Sequence, residues 1–288
     1  MLLIGTVIIF LLQGLVLPGS EIRRGLLEWR LHLFCQTISF ILIPLIAIAM
    51  VLLTGNWLTQ ELQIGLLYLA ILPTTLSTAV VFTAAANGNV TAALVNCALG
   101  NLLGLFIVPA IVISYTHHLS QSLPVAPLVL KITFSMLLPL LLGQLLRLRL
   151  KEAADRQRSV IRRINFGIVL LFVAVNGYQA VQNRFWESQS ISSLTLGLGL
   201  TASLLWIVTA LTAFACKLLG WERPNCITGI FCASQKTMVA GIPIAQSLFA
   251  HTSSAQLSII LLPLILYHFL QIILGGFIIK YLNQMAKN

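Results

Sequence analysis

The sequence predicts an all-α integral membrane protein, because its composition leaves too few charges to cover a water-facing surface. Of its 288 residues, 58% are hydrophobic and 8% are charged, and the mean hydropathy is +0.98. A soluble domain carries about 25% charged residues. The apolar runs are continuous and do not alternate with polar residues, which favours helices over the strands of a membrane barrel. These observations exclude a soluble enzyme, a fibrous protein and a disordered chain.

Nine apolar segments are predicted to span the membrane and to form a single membrane domain over residues 1–288. A helix needs about 20 apolar residues to cross the hydrocarbon core. The predicted spans are residues 1–17, 31–53, 64–86, 89–114, 125–146, 164–181, 191–216, 225–249 and 256–281. The longest polar stretch, residues 147–163, is predicted to be a basic cytoplasmic loop.

The positive charges predict the orientation of the chain. Its net charge is +10, and fourteen of its seventeen Lys and Arg lie in the loops after odd-numbered spans or in the C-terminal tail. Because cationic loops stay in the cytoplasm, we expect the N-terminus outside and the C-terminus in the cytoplasm of a plasma membrane or bacterial inner membrane. We expect the bilayer, and no nucleic acid, as the partner of these charges.

The acids and cysteines narrow the chemistry. All seven acids are predicted to lie in loops or at span edges, which disfavours a carboxylate proton relay or a carboxylate cation site at the midplane. The acids are Glu21, Glu28, Glu61, Glu152, Asp155, Glu187 and Glu222. The five cysteines form no CxxC pair and are expected to be small buried side chains, with no disulfide or metal site.

Lys236 is the one charged residue in the eighth span, and it lies near the middle of that span. With Ser234, Gln235 and Thr237 it forms four successive polar residues, which point all round a helix, and Pro243 follows. We predict a broken helix whose polar crossing lies near the midplane. The alternative is a lysine that extends to a membrane interface.

The third span has a similar interruption, because Pro73 removes a backbone donor and four hydroxyls follow within five residues, Ser77 and Thr78 among them. Spans three and eight cross in opposite directions. Two interrupted segments in inverted halves indicate a secondary transporter. Asn101 in span four supports them, as do His268 and Gln271, which share one face of span nine. Bonding across helices is the commoner use of such polar groups.

Taken together, these segments resemble the bile acid:sodium symporter (SBF-like) family over essentially the whole chain. The stretches that look like the fourth, fifth, ninth and tenth helices of the family are Leu72-Pro73, Gly88-Asn89-Val90, Pro109, Phe231–Pro243 and Tyr267-His268. Two further stretches point to the branch of solute carrier family ten, member seven, and its bacterial symporters: Glu28-Trp-Arg-Leu-His-Leu33 and Ser234-Gln-Lys236.

The resemblance implies ten helices in two inverted five-helix repeats, with helices four and nine unwound and crossing. The first span then matches the second helix of the family. Residues 1–114 therefore form an incomplete first repeat whose first helix is missing, and residues 125–281 form the second repeat.

The resemblance also implies sodium ligands, and this sequence departs from them. The acid of sodium-coupled members falls at or near Phe231, and the Asn after their ninth-helix Gln, here Gln235, corresponds to Lys236. A helix-three Gln falls near Ser39. The helix-five ligand places fall near Ala93 and Cys97. The remaining candidates for a sodium site are Ser77, Thr78 and Gln235.

These departures argue against sodium coupling. An ammonium on Lys236 beside the crossed half-helices would replace a bound cation and neutralise the half-helix ends. The transporter is then sodium-independent, or protons couple through Lys236. Apart from a sodium ion or a proton as coupling ion, no cofactor is expected.

We therefore expect a secondary active transporter of a small organic anion, working by alternating access. The expected substrate- or ion-binding residues are Ser77, Thr78, Asn101, Ser234, Gln235, Lys236, Thr237, His268 and Gln271. One alternative is a non-transporting regulatory protein or pseudo-transporter. A remote one is an intramembrane hydrolase that uses Ser234 or Ser77 with His268, although no GxSxG context or orienting acid is present.

Overall fold

The computed structural model describes residues 2–16, 27–117, 125–182, 190–249 and 252–285. In chain order their helices are α1 (Leu2–Val16), α2 (Trp29–Thr54), α3 (Gln60–Ile71), α4 (Leu76–Ala85), α5 (Val90–His117), α6 (Val125–Arg156), α7 (Arg158–Gln182), α8 (Ile191–Leu218), α9 (Arg223–Ser234), α10 (Met238–Leu248) and α11 (Ser254–Met285). None of the described residues lies in a β-strand. The predicted all-α fold class is therefore confirmed.

Helices occupy all nine predicted spans, but their lengths support fewer crossings. Among the described residues, five helices are long and apolar enough to cross a membrane, namely α2, α5, α7, α8 and α11. The pair α3 and α4, bent by 56°, makes a sixth if it is one span. α1 has 15 residues, and the eighth predicted span is divided into pieces of 12 and 11 residues. The nine-span count and the inverted repeat therefore stay predictions.

Large apolar side chains cover much of the surface of the long helices. Leu53 on α2 is 87% exposed, and Trp206 and Phe214 on α8 are 62% and 60% exposed. Soluble monomers rarely expose contiguous apolar patches, whereas a bilayer requires an apolar exterior. These faces are those of an integral membrane protein.

The described acids lie at the ends of helices. They precede a helix or lie within its terminal turns, and they are Glu28, Glu61, Glu152, Asp155 and Glu222. The predictions for Glu21 and Glu187 fall outside the described residues. No carboxylate of the described chain therefore lies in the interior of an apolar helix.

The chain divides into two compact units. The first contains Met1–Leu17, Leu102–Gln189 and Met238–Leu261. The second contains Pro18–Asn101, Ser190–Thr237 and Leu262–Asn288. Both predicted helix interruptions, up to Thr237, belong to the second unit.

In the first unit, α1 packs closely along α6 through two glycines. A Cβ atom on Gly14 would meet the backbone of Leu140 and Gly143, and a Cβ atom on Gly143 would meet the backbone of Leu11 and Gly14. Small residues at such places let membrane helices approach each other at the backbone. This pair of glycines therefore sets the distance between α1 and α6.

The basic segment of residues 147–163 is helical except for a turn at Gln157, and its place on the cytoplasmic side stays a prediction. α6 continues to Arg156 with non-helical dihedral angles at Leu150 (φ −108°, ψ 17°), and α7 begins after a single turn residue, Gln157. Two of its charged side chains form hydrogen bonds to another helix, α1.

Two arginines of this segment bind the C-terminal carbonyls of α1. Arg147 donates to the Leu15 carbonyl at 2.8 Å and pairs with Asp155 at 2.8 Å. Arg158 donates to the Val16 carbonyl at 3.2 Å. Cations satisfy the last carbonyls of a helix and its negative dipole end. These bonds explain why a segment this basic stays helical.

In the second unit, the turn between α4 and α5 is bonded to the start of α9. Asn89 donates through its backbone N–H to Thr228 Oγ1 at 2.9 Å and through Nδ2 to Asn225 Oδ1 at 3.1 Å. A Cβ atom on Gly88 would lie 2.8 Å from the Ile227 side chain. The end of α4 thus lies beside the start of α9, which makes the two helices antiparallel and brings the start of α4 toward the end of α9.

Replacing Gly143 by Ala should destabilise the protein, because the added methyl group meets the backbone of α1. We expect the free energy of unfolding to fall by about 1–3 kcal/mol. The measurement is the midpoint of thermal unfolding in detergent micelles, followed with a thiol-reactive dye on the cysteines, four of which are buried.

The matched control for Gly143→Ala is Gly167→Ala on α7, where a Cβ atom meets nothing within 4 Å. This control should leave the midpoint unchanged or raise it. Equal midpoints for the two variants would contradict the close packing of α1 on α6.

Candidate functional site

The first interruption separates α3 from α4 at a proline. α3 ends at Ile71, the segment from Leu72 to Thr75 is extended, and the axis turns by 56° before α4 begins at Leu76. Pro73 has no N–H group, and it forces the preceding residue out of the helical region. Leu72 accordingly has extended dihedral angles, φ −66° and ψ 147°. The predicted break in the third span is confirmed.

The second interruption separates α9 from α10 over Gln235, Lys236 and Thr237. α9 ends at Ser234, and Gln235 is extended at φ −82° and ψ 148°. Pro243 lies inside α10, so proline does not cause this break. The predicted break in the eighth span is confirmed, and its cause lies in the bonds that the three residues make to other helices.

The two interruptions lie against each other in the second unit. The backbone N–H of Thr237 donates to the Pro73 carbonyl at 3.0 Å. Thr78 Oγ1 donates to Gln235 Oε1 at 2.7 Å. The broken segments therefore meet through one backbone bond and one side-chain bond, near the start of α4.

The side chain of Lys236 crosses to the first interruption and is fully buried. Its Nζ donates to the carbonyl oxygens of Leu72 at 2.6 Å, Ala70 at 2.8 Å and Ser39 at 3.0 Å. It also lies 3.1 Å from Ser39 Oγ. Since Lys236 is 0% exposed, the alternative in which it extends to a membrane interface is wrong.

Ser39 reaches Lys236 from a widened turn of α2. Ile38–Leu42 form a π-helical turn inside this helix. Such turns interrupt the regular bonding of the backbone and are frequent at functional sites. Ser39 there supplies both its carbonyl and its hydroxyl oxygen to the ammonium. Pro44, two residues after this turn, is a sequence signal for it, because proline has no N–H group to donate to the carbonyls of the preceding turn.

The oxygens around Lys236 favour its charged form. Carbonyl oxygens only accept hydrogen bonds, and three of them face Nζ. An ammonium has three N–H donors, whereas a neutral amine has two. No described carboxylate pairs with Lys236. The partial negative charge at the C-terminal end of α3 therefore compensates the ammonium.

Gln271 holds the peptide groups of Lys236 from α11. Its Oε1 accepts from the Lys236 N–H at 2.8 Å, and its Nε2 donates to the Lys236 carbonyl at 3.0 Å. The same Nε2 lies 3.0 Å from His268 Nδ1, which makes that ring nitrogen an acceptor. The two predicted residues share one helix face, as their spacing indicates, and they stabilise the break.

Tyr267, beside them on α11, also supports the break and was not among the predicted site residues. Its hydroxyl donates to the Ser234 carbonyl at 2.6 Å, and its side chain is fully buried. This carbonyl is one that the end of α9 leaves without a helical partner. Tyr267 belongs to the stretch that resembles the tenth helix of the family, which is the one sequence signal that pointed to it.

Two further predicted residues bond to backbone near the interruptions. Asn101 Nδ2 donates to the Thr74 carbonyl at 3.1 Å and to the Cys97 carbonyl at 2.7 Å. Ser234 Oγ donates to the Ile230 carbonyl of its own helix at 2.6 Å. Because Ser234 Oγ donates to backbone and His268 Nδ1 faces Gln271, these contacts do not form the pair that a serine hydrolase needs.

The start of α4 stays partly open. Ser77 and Thr78 are half-buried, and Ser77 Oγ lies 3.3 Å from Thr75 Oγ1. Thr75 precedes α4 and forms no side-chain bond to its first N–H groups. The first N–H groups of a helix lack partners within the helix and carry partial positive charge. This end of α4 can therefore attract an anion.

Three of the positions at which the resemblance places sodium ligands have no side-chain oxygen. Phe231 lies in an apolar cluster with Ala86 and Ile227. Ala93 is fully buried, and Cys97 Sγ lies 3.5 Å from the Thr75 carbonyl. In the part of the chain that the structure describes, no three His, Cys, Asp or Glu are grouped to hold a metal ion.

Comparisons with known proteins agree with this geometry. The model of the SBF-like CPA transporter family matches residues 2–284. An uncharacterised protein of Pseudomonas aeruginosa is 32% identical over 93% of this chain and 80% of its own length. YfeH of Escherichia coli, named as a candidate symporter, is 31% identical over 97% of this chain and 83% of its own length. Sodium/bile acid cotransporter 7 of Danio rerio is 29% identical over 93% of this chain and 80% of its own length.

Replacing Tyr267 by Phe should destabilise the second interruption, because the Ser234 carbonyl then stays buried without its donor. We expect a loss of about 1–3 kcal/mol in the free energy of unfolding. Thermal unfolding in micelles measures it. Tyr281→Phe, on the same helix but 61% exposed, removes the same hydroxyl group and should leave the midpoint unchanged. If both variants unfold like the wild type, Tyr267 does not support the break.

Proposed function

The chain belongs to the SBF-like CPA transporter family, and on that premise we propose that it is a secondary transporter that moves a small organic anion by alternating access. The family and its named relatives are transporters and not enzymes. The name of the Danio rerio relative specifies a bile acid as its cargo. For this chain the proposal is the wider class of small organic anions.

The observation that carries the proposal is the meeting of two broken helices. Secondary transporters build their substrate site near the membrane midplane from discontinuous helices, whose ends supply unpaired backbone groups. Here the breaks at Pro73 and Gln235–Thr237 are joined by the Thr237–Pro73 bond. We place the substrate site at this crossing.

The chemistry of the crossing supports an anionic substrate. The start of α4 presents uncapped N–H groups beside the half-buried hydroxyls of Ser77 and Thr78. Lys236 is paired with backbone carbonyls and with no described carboxylate, so no acidic side chain there repels an anion. We propose that Ser77, Thr78 and Gln235 contact the substrate. The residues that hold the crossing in shape are Asn101, Ser234, Lys236, Thr237, His268 and Gln271.

We propose nine spans for the architecture around this site. Residues 1–114 belong to the first repeat and residues 125–281 to the second, inverted repeat. The basic residues of α6 and α7 and the C-terminus face the cytoplasm, and the N-terminus faces outside, in a plasma membrane or bacterial inner membrane. The long apolar helices and their exposed apolar side chains support this placement in a bilayer.

We also propose that transport needs no sodium ion. Phe231, Ala93 and Cys97 stand where sodium-coupled members have ligands, and their side chains supply no oxygen. Ser77, Thr78 and Gln235 remain as oxygen ligands, and Thr78 and Gln235 bond to each other. The word sodium in the names of the relatives describes those proteins.

Replacing Thr78 by Val should slow uptake without unfolding the protein. The change keeps the shape of the side chain and removes the hydroxyl that bonds to Gln235 and faces the proposed site. We expect the initial rate to fall roughly tenfold, which corresponds to about 1.4 kcal/mol, the size of one hydrogen bond. The measurement is uptake by proteoliposomes of labelled taurocholate and of a set of labelled smaller carboxylates.

Thr195→Val is the matched control, because the hydroxyl of Thr195 is exposed and bonds within its own helix. This variant should transport like the wild type. Equal rates for both variants would remove Thr78 from the site. If the folded wild-type protein takes up none of the anions, the proposal fails in favour of a non-transporting regulatory protein.

A further inference from the structure

We propose that the oxygens around Lys236 form a monovalent cation site that the protein fills permanently with its own ammonium group. The site consists of the Ser39 carbonyl and hydroxyl oxygens and the carbonyl oxygens of Ala70 and Leu72. The role of this cage in sodium-free transport rests on the proposed function. The arrangement of its oxygens around Lys236 does not depend on that function. Ser39 lies near the place of a helix-three Gln ligand in the resemblance, whereas Ala70 and Leu72 are not among its ligand positions.

The composition of the cage is that of a cation site. Its four oxygens lie 2.6–3.1 Å from one point, the Nζ atom of Lys236. Backbone carbonyls arranged round a point replace the hydration shell of a monovalent ion in selective channels. Hard cations generally select carbonyl and hydroxyl oxygens over nitrogen or sulfur. No described carboxylate contributes, so the cage suits a single positive charge.

The fold produces this cage whether or not a lysine enters it. The carbonyls of Ala70 and Leu72 are free because Pro73 ends α3, which leaves the last carbonyls of that helix without i+4 partners. The carbonyl of Ser39 is presented by the π-helical turn of α2. Buried carbonyls with no donor are costly, and they form the negative end of the α3 dipole. A cation at this point therefore stabilises the first interruption.

Shortening Lys236 should turn the filled cage into a binding site for a free ion. In Lys236→Ala the three carbonyl oxygens and the Ser39 hydroxyl remain, but the ammonium and its methylene chain are gone. Na⁺, K⁺ or methylammonium can then enter, whereas choline is too large to approach the oxygens. In Lys236→Met the side chain still occupies the space of the lysine methylene groups, so an ion gains little access to the cage.

The experiment compares thermal unfolding midpoints in micelles at constant ionic strength, with choline chloride replaced stepwise by sodium, potassium or methylammonium chloride. Lys236→Ala should start below the wild type and rise by about 2 °C at ten times the dissociation constant of the ion. The wild type and Lys236→Met should not respond. Lys280→Ala, which removes an exposed lysine of α11, is the matched control and should behave like the wild type.

A Lys236→Ala protein whose midpoint is the same in all four salts would overturn the proposal. A sodium-specific rise in the wild type would overturn it as well, because the cage cannot hold an ion and the ammonium together. Both results are independent of uptake, so they are distinct from a failure of the transport proposal.

A second measurement covers the case in which Lys236→Ala does not fold. The wild-type protein is treated with an amine-acylating reagent and digested, and the labelled lysines are identified by mass spectrometry. Lys280 should react in the folded protein, and Lys236 should react only after denaturation, in sodium and in choline alike. Labelling of Lys236 in the folded protein would show that its ammonium leaves the cage, which contradicts permanent occupancy.

Discussion

The ammonium of Lys236 is buried among three carbonyl oxygens and one hydroxyl, and the rest of the site follows from what that charge requires. Moving an ion out of water costs several kcal/mol unless polar groups surround it. The carbonyls that surround this one are free because α3 ends at Pro73 and because α2 widens at Ser39. Lys236 can reach them because α9 ends at Ser234. Gln271 and Tyr267 stabilise that helix end by bonding to its backbone groups. The lysine at the second interruption thus supplies the hydrogen-bond donors that the carbonyls of α2 and of the first interruption lack.

The sequence predicted the centre of this arrangement because its residues violate local rules. A proline inside an apolar span and four successive polar residues around a lysine cannot belong to regular, lipid-facing helices. Lys236 lies too far from either end of its span to reach water easily. Bringing the two breaks together required the additional inference that spans three and eight are counterparts in inverted halves.

The remaining contacts depend on tertiary bonds that no local pattern encodes. The turn at Ile38–Leu42 lies just before Pro44, whose missing N–H group disturbs the helix there, but the sequence does not indicate that Ser39 then bonds to Lys236. Asn101 and His268 were predicted as binding groups, but an amide or a ring nitrogen serves a broken backbone as well as a substrate. Residues 147–163 were predicted to be a loop because they are charged; they are helical except at Gln157, and Arg147 and Arg158 bond to the last carbonyls of α1.

We propose that the side chain of Lys236 takes the place of a coupling cation. The most direct test of this proposal is uptake of a labelled organic anion by the purified wild-type protein in liposomes, measured with an inward sodium gradient and with the same gradient of choline. The account predicts equal initial rates in the two salts. Uptake that occurs only with sodium would contradict it.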